Sequence, residues 1–400
     1  MIDNLPNGWE KENISDVVFF QEGPGVRNTQ FTEKGVKLLN VGNINDNKIN
    51  LSTTKIYISE DEAYRKYSHF LVEEGDLLIA CSGIVVNNFH KKIAFITKEN
   101  LPLCLNTSTM RFRTLDKNKL NINFYKYFLM TNIFKNQLQR LITGSAQLNF
   151  GPSHIKKMLI PIPPLEQQEK IVKVLDLTSN LIEKQKELLE KYDLFLKSKF
   201  IEMFGDPISN PMGWEVVSFN KLATIKTKSI KAEDITNEIY IGLDCIEKDT
   251  GKLLFSYNSE NEEVKSNKYI FTSNMLLYGK LRPYLNKVLL PKFDGICSTD
   301  ILPIEPIKNK STKEYLAYFL RNTNIVEILS NSVSGANLPR VSPQIIKELK
   351  ITEVPIELQN KFALIVEKIE IIKEKENKKL KQLEDLHNSM MNKAFKGEIK

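Results

Sequence analysis

The sequence has few of the residues that build disulfide frameworks or transition-metal centres. Its 400 residues include four cysteines and four histidines. The cysteines, Cys81, Cys104, Cys245 and Cys297, lie far apart and form no Cys-x-x-Cys pair, which argues against a disulfide framework and a zinc site. We therefore expect no metal, and buried cysteines that act as small apolar residues.

Long apolar stretches are also missing. No run approaches the roughly 18 residues that a membrane-spanning helix needs. The start, Met-Ile-Asp-Asn-Leu-Pro, lacks the basic and then apolar layout of a signal peptide. These absences predict a cytoplasmic protein without a membrane partner.

Sequence motifs of catalysis are absent too. The sequence contains no Gly-x-x-x-x-Gly-Lys-Ser/Thr phosphate loop, no Gly-x-Ser-x-Gly elbow and no His-Glu-x-x-His pair. Gly23-Pro24-Gly25 lacks the spacing of a nucleotide-binding loop and is more simply a turn. No pair of carboxylates stands out as acid and base, so we expect no catalytic residue.

Acidic residues are absent from two windows of this moderately basic chain, whose net charge is +7. Residues 117–165 contain seven Lys or Arg and no Asp or Glu, and residues 264–293 contain six and none. Such windows are typical of a surface that binds a polyanion, because each neutralised phosphate releases counterions. A solvated basic face explains the charge equally well.

The chain is a duplication of roughly 200 residues. Matching motifs occur in the same order in both halves: Gly8-Trp9-Glu10 and Gly213-Trp214-Glu215; Tyr127-Phe128-Leu129 and Tyr318-Phe319-Leu320; Ala146-x-Leu148 and Ala336-x-Leu338; Pro164-Leu165-Glu166-x-Gln168 and Pro355-Ile356-Glu357-x-Gln359. Because chance similarity would not preserve one order, each half should repeat the same fold.

A long helix with heptad spacing follows the last proline of each half. The predicted apolar seam comprises Ile171, Leu175, Ile182, Leu189 and Leu196 in the first helix, and Phe362, Val366, Ile369, Ile372, Leu380 and Leu383 in the second, where Glu376 interrupts it. Helices of about 38 residues would each be roughly 55 Å long. Pairing of the two in an antiparallel coiled coil buries both seams; docking of each helix on its own domain is the alternative.

The regions before the helices alternate short strands with one late helix, at 123–142 and 312–330, each ending at a Gly-containing turn (143–145 and 334–336). We predict an α+β fold with two tandem, internally repeated α/β domains separated by the two long helices. The predicted segments are 1–165, 166–205, 206–353 and 354–400.

Several of these features together resemble one family. The Gly-Trp-Glu starts, the Pro-Pro-Leu-Glu-Gln-Gln segment 163–168, the helix end Lys199-Phe200-x-x-x-Phe204-Gly205-Asp206 and the duplication resemble the specificity subunit of type I restriction-modification systems. The resemblance implies two target recognition domains that bind double-stranded DNA. It also implies two modification subunits that use S-adenosylmethionine, and restriction subunits that use ATP and magnesium, with no cofactor in this chain. In agreement, the sequence has no Asn/Asp-Pro-Pro-Tyr/Phe methyltransferase motif.

Such a protein would bind a bipartite, asymmetric target, because the halves have diverged, with half-site centres roughly 34 Å apart. Candidate DNA-binding residues follow equivalent strands or late turns: Asn87, Asn88, His90, Lys91, Lys92, Arg111, Gln147 and Asn149 in the first half; Lys280, Arg282, Tyr284, Lys287 and Arg340 in the second. Lys and Arg suit phosphates, and Asn and Gln suit adenine. The alternative interpretation of each candidate is a solvated loop residue that does not contact DNA.

Two other functions remain open at this point. A coiled-coil scaffold with protein-binding end domains would have the same helices but no affinity for duplex DNA. A DNA methyltransferase with a cryptic active site would bind S-adenosylmethionine. The outer faces of the long helices repeat apolar and charged positions, which predicts that they hold the modification subunits.

Overall fold

The computed structural model describes residues 5–52, 54–142, 147–259, 266–333 and 338–399, without the side chains of 85–88 and 147–148. The predicted turns at 143–145 and 334–336, with Ala146 and Ala336, lie outside the described residues. Contacts divide the chain into unit 1, Met1–Glu183 with Lys381–Lys400, and unit 2, Lys184–Leu380. This division cuts across the four predicted segments, because each unit takes in part of both long helices.

Unit 1 is built around an antiparallel sheet with the strand order β2-β11-β7-β9. Its strands are β1 (Glu10–Asn13), β2 (Val18–Glu22), β3 (Val36–Leu38), β4 (Ile44–Asn45), β5 (Lys48–Ile49), β6 (Tyr57–Ile58), β7 (Leu77–Ala80), β8 (Ile84–Val85), β9 (Ile93–Phe95), β10 (Leu103–Cys104), β11 (Thr109–Thr114), β12 (Gln147–Leu148) and β13 (Leu159–Ile162). Its helices are α1 (Ile14–Val17), α2 (Glu60–Tyr64), α3 (Ile122–Met130), α4 (Asn132–Leu141) and α5 (Pro152–Ile155), followed by the long α6 (Leu165–Phe204). Every residue of β7 is buried, so β7 forms the centre of the core.

Unit 2 repeats this arrangement with the sheet order β15-β23-β20-β21. Its strands are β14 (Glu215–Ser218), β15 (Ala223–Ile225), β16 (Ser229–Ile230), β17 (Ile239–Ile241), β18 (Tyr257–Asn258), β19 (Lys268–Phe271), β20 (Leu276–Gly279), β21 (Val288–Leu289), β22 (Gly295–Cys297), β23 (Ile301–Pro306) and β24 (Lys350–Glu353). Its helices are α7 (Lys313–Arg321), α8 (Thr323–Asn331) and α9 (Pro343–Glu348), followed by the long α10 (Ile356–Ala394), whose last part belongs to unit 1. Because buried strand β20 takes the place of β7, the predicted internal repeat and α+β class are confirmed.

The single late helix predicted in each half is wrong, because each is broken in two. Thr131 separates α3 from α4 with extended backbone, and its hydroxyl oxygen accepts a hydrogen bond from Phe134 N. Asn322 separates α7 from α8 and accepts from Asn324 N. Side chains of this kind compete with the helical hydrogen bonds and cap the next helix instead.

A buried glutamine explains the repeated Pro-Leu/Ile-Glu-x-Gln motif. Gln168 Oε1 accepts from Asn121 N at 2.8 Å, while its Nε2 donates to Lys119 O and Pro163 O, each at 2.9 Å. Gln359 makes the same three bonds, to Thr312 N, Lys310 O and Val354 O. In both repeats the amide therefore joins the first turn of the long helix to the start of α3 or α7.

The two long helices pack against each other in antiparallel fashion within each unit. In unit 1, Thr178 Oγ1 lies 2.7 Å from His387 Nδ1, and Gln167 Nε2 donates to Ile399 O. In unit 2, Gln185 Nε2 donates to Glu376, and the rings of Phe200 and Phe362 make an edge-to-face contact. The predicted coiled coil is confirmed. No helix in the described part of the chain is long and apolar enough to cross a membrane.

The seam of the second helix differs from the prediction at one turn. Ile372 points away from it and is 36% exposed, whereas Lys373 is 8% exposed. The Lys373 ammonium lies 2.7 Å from an Asp193 oxygen and 2.9 Å from a Glu370 oxygen, so its aliphatic stem can occupy the seam. Since Glu376 is bonded to Gln185, the heptad continues through this turn instead of being interrupted.

The C-terminal end of each long helix completes the core of a unit. Phe200 and Phe204 of α6 pack on Tyr315 in unit 2. Phe395, just after α10, stacks on Phe124 in unit 1. The apolar core of each unit thus contains aromatic residues from the helix of the other repeat.

The glutamine bonds generate a stability prediction. Replacing Gln168 by Leu removes the partner of one buried carbonyl and of one carbonyl and one N–H that are partly buried, and a buried group without a partner costs about 1–3 kcal/mol. We expect a loss of at least about 2 kcal/mol in denaturant unfolding, and a similar loss for Gln359→Leu. Gln344→Leu, at an exposed position of α9, is the control. Losses no larger than in the control would contradict the role assigned to the motif.

Candidate nucleic-acid interface

In unit 1, two segments distant in sequence converge beside the buried strand β7. After β7, β8 pairs antiparallel with β12, with Ile84 opposite Leu148. Phe150 N donates to Cys81 O at 2.9 Å. The backbone of residues 81–85, which leads into the predicted residues 87–92, is therefore brought together with that of residues 147–150, and the Phe89 ring contacts the Phe150 ring. The side chains of Asn87, Asn88 and Gln147 lie outside the described part.

The same convergence occurs in unit 2 beside β20. Val341 N donates to Lys280 O at 3.0 Å, Arg282 N donates to Pro339 O at 2.8 Å, and Leu281 forms a bridge with Arg340. Lys280, Arg282 and Tyr284 thereby share one loop surface with Arg340. We call 280–287 with 338–341 the second loop pair, and 81–92 with 147–150 the first loop pair.

Backbone hydrogen bonds define which residues are equivalent in the two loop pairs. Cys81 N donates to Ser108 O in the first loop pair, and Lys280 N donates to Asp300 O at the equivalent place in the second. In the same way, Phe150 N donates to Cys81 O in the first loop pair, and Val341 N donates to Lys280 O in the second. Residue 149 therefore corresponds to residue 340, and residue 108 to residue 300.

Left-handed backbone shapes the second loop pair. Arg282 and Asn286 have φ of 54° and 48°, a region that residues other than glycine rarely adopt. Asn286 is buried and donates to Arg321 O, while Arg282 is exposed and Tyr284 is 56% exposed. Strain of this kind is typical of functional loops, and here it presents a cation and an aromatic ring to solvent.

The first loop pair presents His90 and Lys91, both exposed. Lys91 Nζ lies 3.7 Å from Asp46. Asn149 is exposed, but its Oδ1 already accepts from Ser82 Oγ at 2.9 Å and from Gly83 N at 2.8 Å. Both acceptor sites of that oxygen are thus used. A bidentate adenine contact by Asn149 is therefore not available in this orientation.

Lys92 and Lys287 occupy equivalent bracing positions. Lys92 Nζ donates to Val41 O at 3.3 Å, and Lys287 Nζ donates to Leu243 O at 2.7 Å. Val41 and Leu243 each begin a short 3-10 helix. Burial lowers the pKa of Lys92. Both lysines therefore hold the loop against the equivalent turn, and their role as DNA contacts stays a prediction.

The expectation that Arg111 contacts DNA is wrong. Arg111 lies on β11, between β2 and β7, and is 5% exposed. Its Nη1 donates to Leu71 O at 2.6 Å, and its Nη2 donates to His69 O at 2.7 Å. A guanidinium enclosed by its own strands cannot reach a duplex.

Asp300 is the partner that sequence reasoning missed. Its carboxylate accepts from Arg340 Nε at 2.9 Å and from Arg340 Nη2 at 3.2 Å. The hydrogen bond to Asp300 raises the pKa of Arg340. The two residues are 40 positions apart in sequence, and no local pattern links them.

The alternative sites within the described ranges would be metal-ligating groups and cysteines. No group of three or more His, Cys, Asp or Glu side chains there could hold a metal ion. All four cysteines are buried, and burial raises the pKa of the Cys81 thiol to about 12. Burial of this kind favours the protonated thiol.

Comparisons with known proteins point to one family. The family model for the "Type I restriction modification DNA specificity domain" matches residues 6–191 and 211–385. The chain is 29% identical over 195 residues to the type I restriction enzyme EcoDI specificity subunit of Escherichia coli, an alignment that covers 48% of this chain and 43% of that protein. It is 30% identical over 193 residues to the MjaVIII specificity subunit of Methanocaldococcus jannaschii, covering 48% and 44%. These alignments thus span less than half of either relative.

Longer matches have lower identity. The putative MjaX specificity subunit of Methanocaldococcus jannaschii is 24% identical over 100% of this chain and 95% of its own. The type I restriction-modification S subunit from M. genitalium superposes with a TM-score of 0.51 at 16% identity, covering 98% of both chains. A chain from a structural study of assembly and conformational transition in a type I R-M system gives a TM-score of 0.52 at 16% identity, covering 98% of this chain and 99% of that one. At this identity the structures support the fold alone.

The second loop pair generates a prediction about Arg282. Arg282→Asn removes the charge but keeps a residue that tolerates the left-handed backbone. We expect weaker duplex binding, and a slope of log affinity against log salt that falls by about 0.9 if Arg282 contacts one phosphate. Lys231→Asn, at an exposed ion pair elsewhere in unit 2, is the control. Unchanged affinity and slope would exclude Arg282 from the interface.

Proposed function

Because the chain belongs to the type I restriction modification DNA specificity domain family, we propose that it selects the DNA target of a restriction-modification complex. Each loop pair binds one half-site, and the two half-sites differ in sequence. The target is therefore bipartite and asymmetric.

One observation carries this proposal. The two loop pairs have the same backbone arrangement, but the exposed side chains at equivalent positions differ. Equivalent hydrogen bonds hold both frames, and equivalent lysines brace them. The exposed positions differ: Asn149 stands where the second repeat has Arg340. Two copies of one frame with different side chains are suited to two different base sequences.

Two half-sites are needed for physical reasons. Each base pair that is contacted contributes about 1–3 kcal/mol of discrimination, and a single loop pair can reach only a few base pairs. When one duplex binds both units, the free energies by which each loop pair discriminates against wrong base pairs add together. Sequence selection then requires both half-sites at a fixed spacing.

The chemistry belongs to partner subunits in this proposal. The chain selects the target without catalysing a reaction, two modification subunits use S-adenosylmethionine, and restriction subunits use ATP and magnesium. Support comes from the family match and from the absence of an Asn/Asp-Pro-Pro-Tyr/Phe motif in the sequence.

The long helices provide a repeated surface for the modification subunits. Leu181 and Phe195 of α6 correspond by position in the repeat to Ile372 and Leu386 of α10, and all four are 36–46% exposed. Each immediately precedes a seam position of the heptad, so the four lie on the same flank of their helices. Unit 1 contains Leu181 and Leu386, and unit 2 contains Phe195 and Ile372. Each unit therefore offers an equivalent apolar site to one modification subunit.

The first test is to map modified bases in DNA from cells that carry this chain with its modification subunit. We expect modification at one interrupted sequence with two unlike specific parts and unspecified bases between them. Cells with the modification subunit alone are the control. Modification of a continuous site, or of the same sites without this chain, would contradict the proposed function.

The second test concerns the subunit surface. We expect Leu181→Asp with Leu386→Asp to reduce the complex from two modification subunits to one, because a carboxylate in an apolar contact loses its hydration. Adding Phe195→Asp and Ile372→Asp should abolish the complex. Native mass spectrometry gives the stoichiometry, and Leu254→Asp, an exposed leucine away from these helices, is the control. Full assembly of the fourfold variant would refute this docking surface.

A further inference from the structure

We propose that Arg340 recognises a guanine in the half-site bound by unit 2, and that Asp300 is the residue that positions Arg340 for this contact. The inference rests on the proposed function and deepens it, because it assigns one base to one side chain.

The geometry of the pair leaves the correct donors free for a base. Asp300 binds one edge of the guanidinium, at Nε and Nη2, with distances of 2.9 and 3.2 Å. The guanidinium is planar and has five N–H donors, so the edge formed by Nη1 and Nη2 keeps two donors. Guanine presents two neighbouring acceptors, O6 and N7, in the major groove, which an arginine fork matches.

The backbone on both sides of the pair is fixed. The N–H groups of Arg282 and Val341, which flank the Leu281–Arg340 bridge, both donate across to the facing segment. Asp300 O accepts from Lys280 N at 2.9 Å. Asp300 therefore anchors the loop through its backbone and orients the arginine through its carboxylate. Such support lowers the entropy lost when a side chain binds.

The charge of the pair distinguishes base recognition from phosphate binding. A phosphate contact depends on net positive charge, which an adjacent carboxylate cancels. A base-edge contact depends on orientation, which the carboxylate improves. Arg340 and Asp300 are 46% and 26% exposed, so solvent or DNA can reach the pair. A carboxylate bonded to the Arg340 guanidinium thus fits an arginine that contacts a base.

Comparison of the repeats separates this pair from the common scaffold. The positions equivalent to Arg340 and Asp300 are Asn149 and Ser108, and Asn149 bonds to its own loop at Ser82 and Gly83. The ion pair therefore belongs to the second repeat alone. Because only the second loop pair has this ion pair, the ion pair is suited to recognising the half-site that unit 2 binds.

The test compares modified-base maps for the wild-type complex and for Arg340→Gln, Arg340→Lys and Asp300→Asn. Arg340→Gln and Arg340→Lys should both lose discrimination by roughly 5- to 150-fold at one G·C pair of one half-site, since lysine keeps the charge but lacks the fork. Asp300→Asn should relax the same position by less. The other half-site should be unchanged. Arg65→Gln, an arginine paired with an aspartate in unit 1, is the matched control.

Each other outcome has a definite meaning. Full discrimination in Arg340→Lys would show that charge alone suffices, and would overturn the inference in favour of phosphate binding. Relaxation at an A·T pair, or at no position, would also overturn it. A wild-type map without a bipartite motif would instead contradict the proposed function. Equal thermal unfolding of the wild type and Arg340→Lys verifies that the comparison concerns folded protein.

Discussion

The structure depends on the burial of aromatic residues at the C-terminal ends of the two long helices. Each helix places these residues in the hydrophobic core formed mainly by the other repeat. Phe200 and Phe204 pack in unit 2, and Phe395 packs in unit 1. Helix pairing is thus part of the hydrophobic core of both units, and separation of the helices would expose these residues to water. Burial of such side chains contributes about 1.5–3 kcal/mol each, which makes the pairing integral to the fold.

The sequence patterns correctly predicted the structural elements that produce a regular spacing or a repeated motif. The heptads located both long helices, and the repeated motifs located the duplicated sheets. The pattern could not show that Thr131 breaks a helix, because apolar spacing continues across it. Nor could it show that Lys373 occupies the seam, since its ammonium is paired with Asp193 of a distant helix segment.

Sequence patterns placed most of the candidate residues in loops that the structure brings together, but did not show the bonds that these residues make. Loops that follow equivalent buried strands do converge with the segments after the late helices, so most predicted residues lie in one of the two loop pairs. Arg111 was misassigned, because its internal partners come from β2 and the segment before β7. The equivalent roles of Lys92 and Lys287 depend on carbonyl partners that are distant in sequence, Val41 and Leu243, which no local pattern indicates. Comparison of the two repeats separates the features that maintain the fold from those that can differ between two half-sites.

Amide hydrogen exchange of the full complex, with and without its mapped target duplex, tests the central claim most directly. If the two loop pairs form the DNA interface, the duplex should slow exchange in residues 81–92, 147–150, 280–287 and 338–341. A duplex with one half-site scrambled should protect one loop pair less than the other. Protection confined to other surfaces, with exchange in both loop pairs unchanged, would contradict the account.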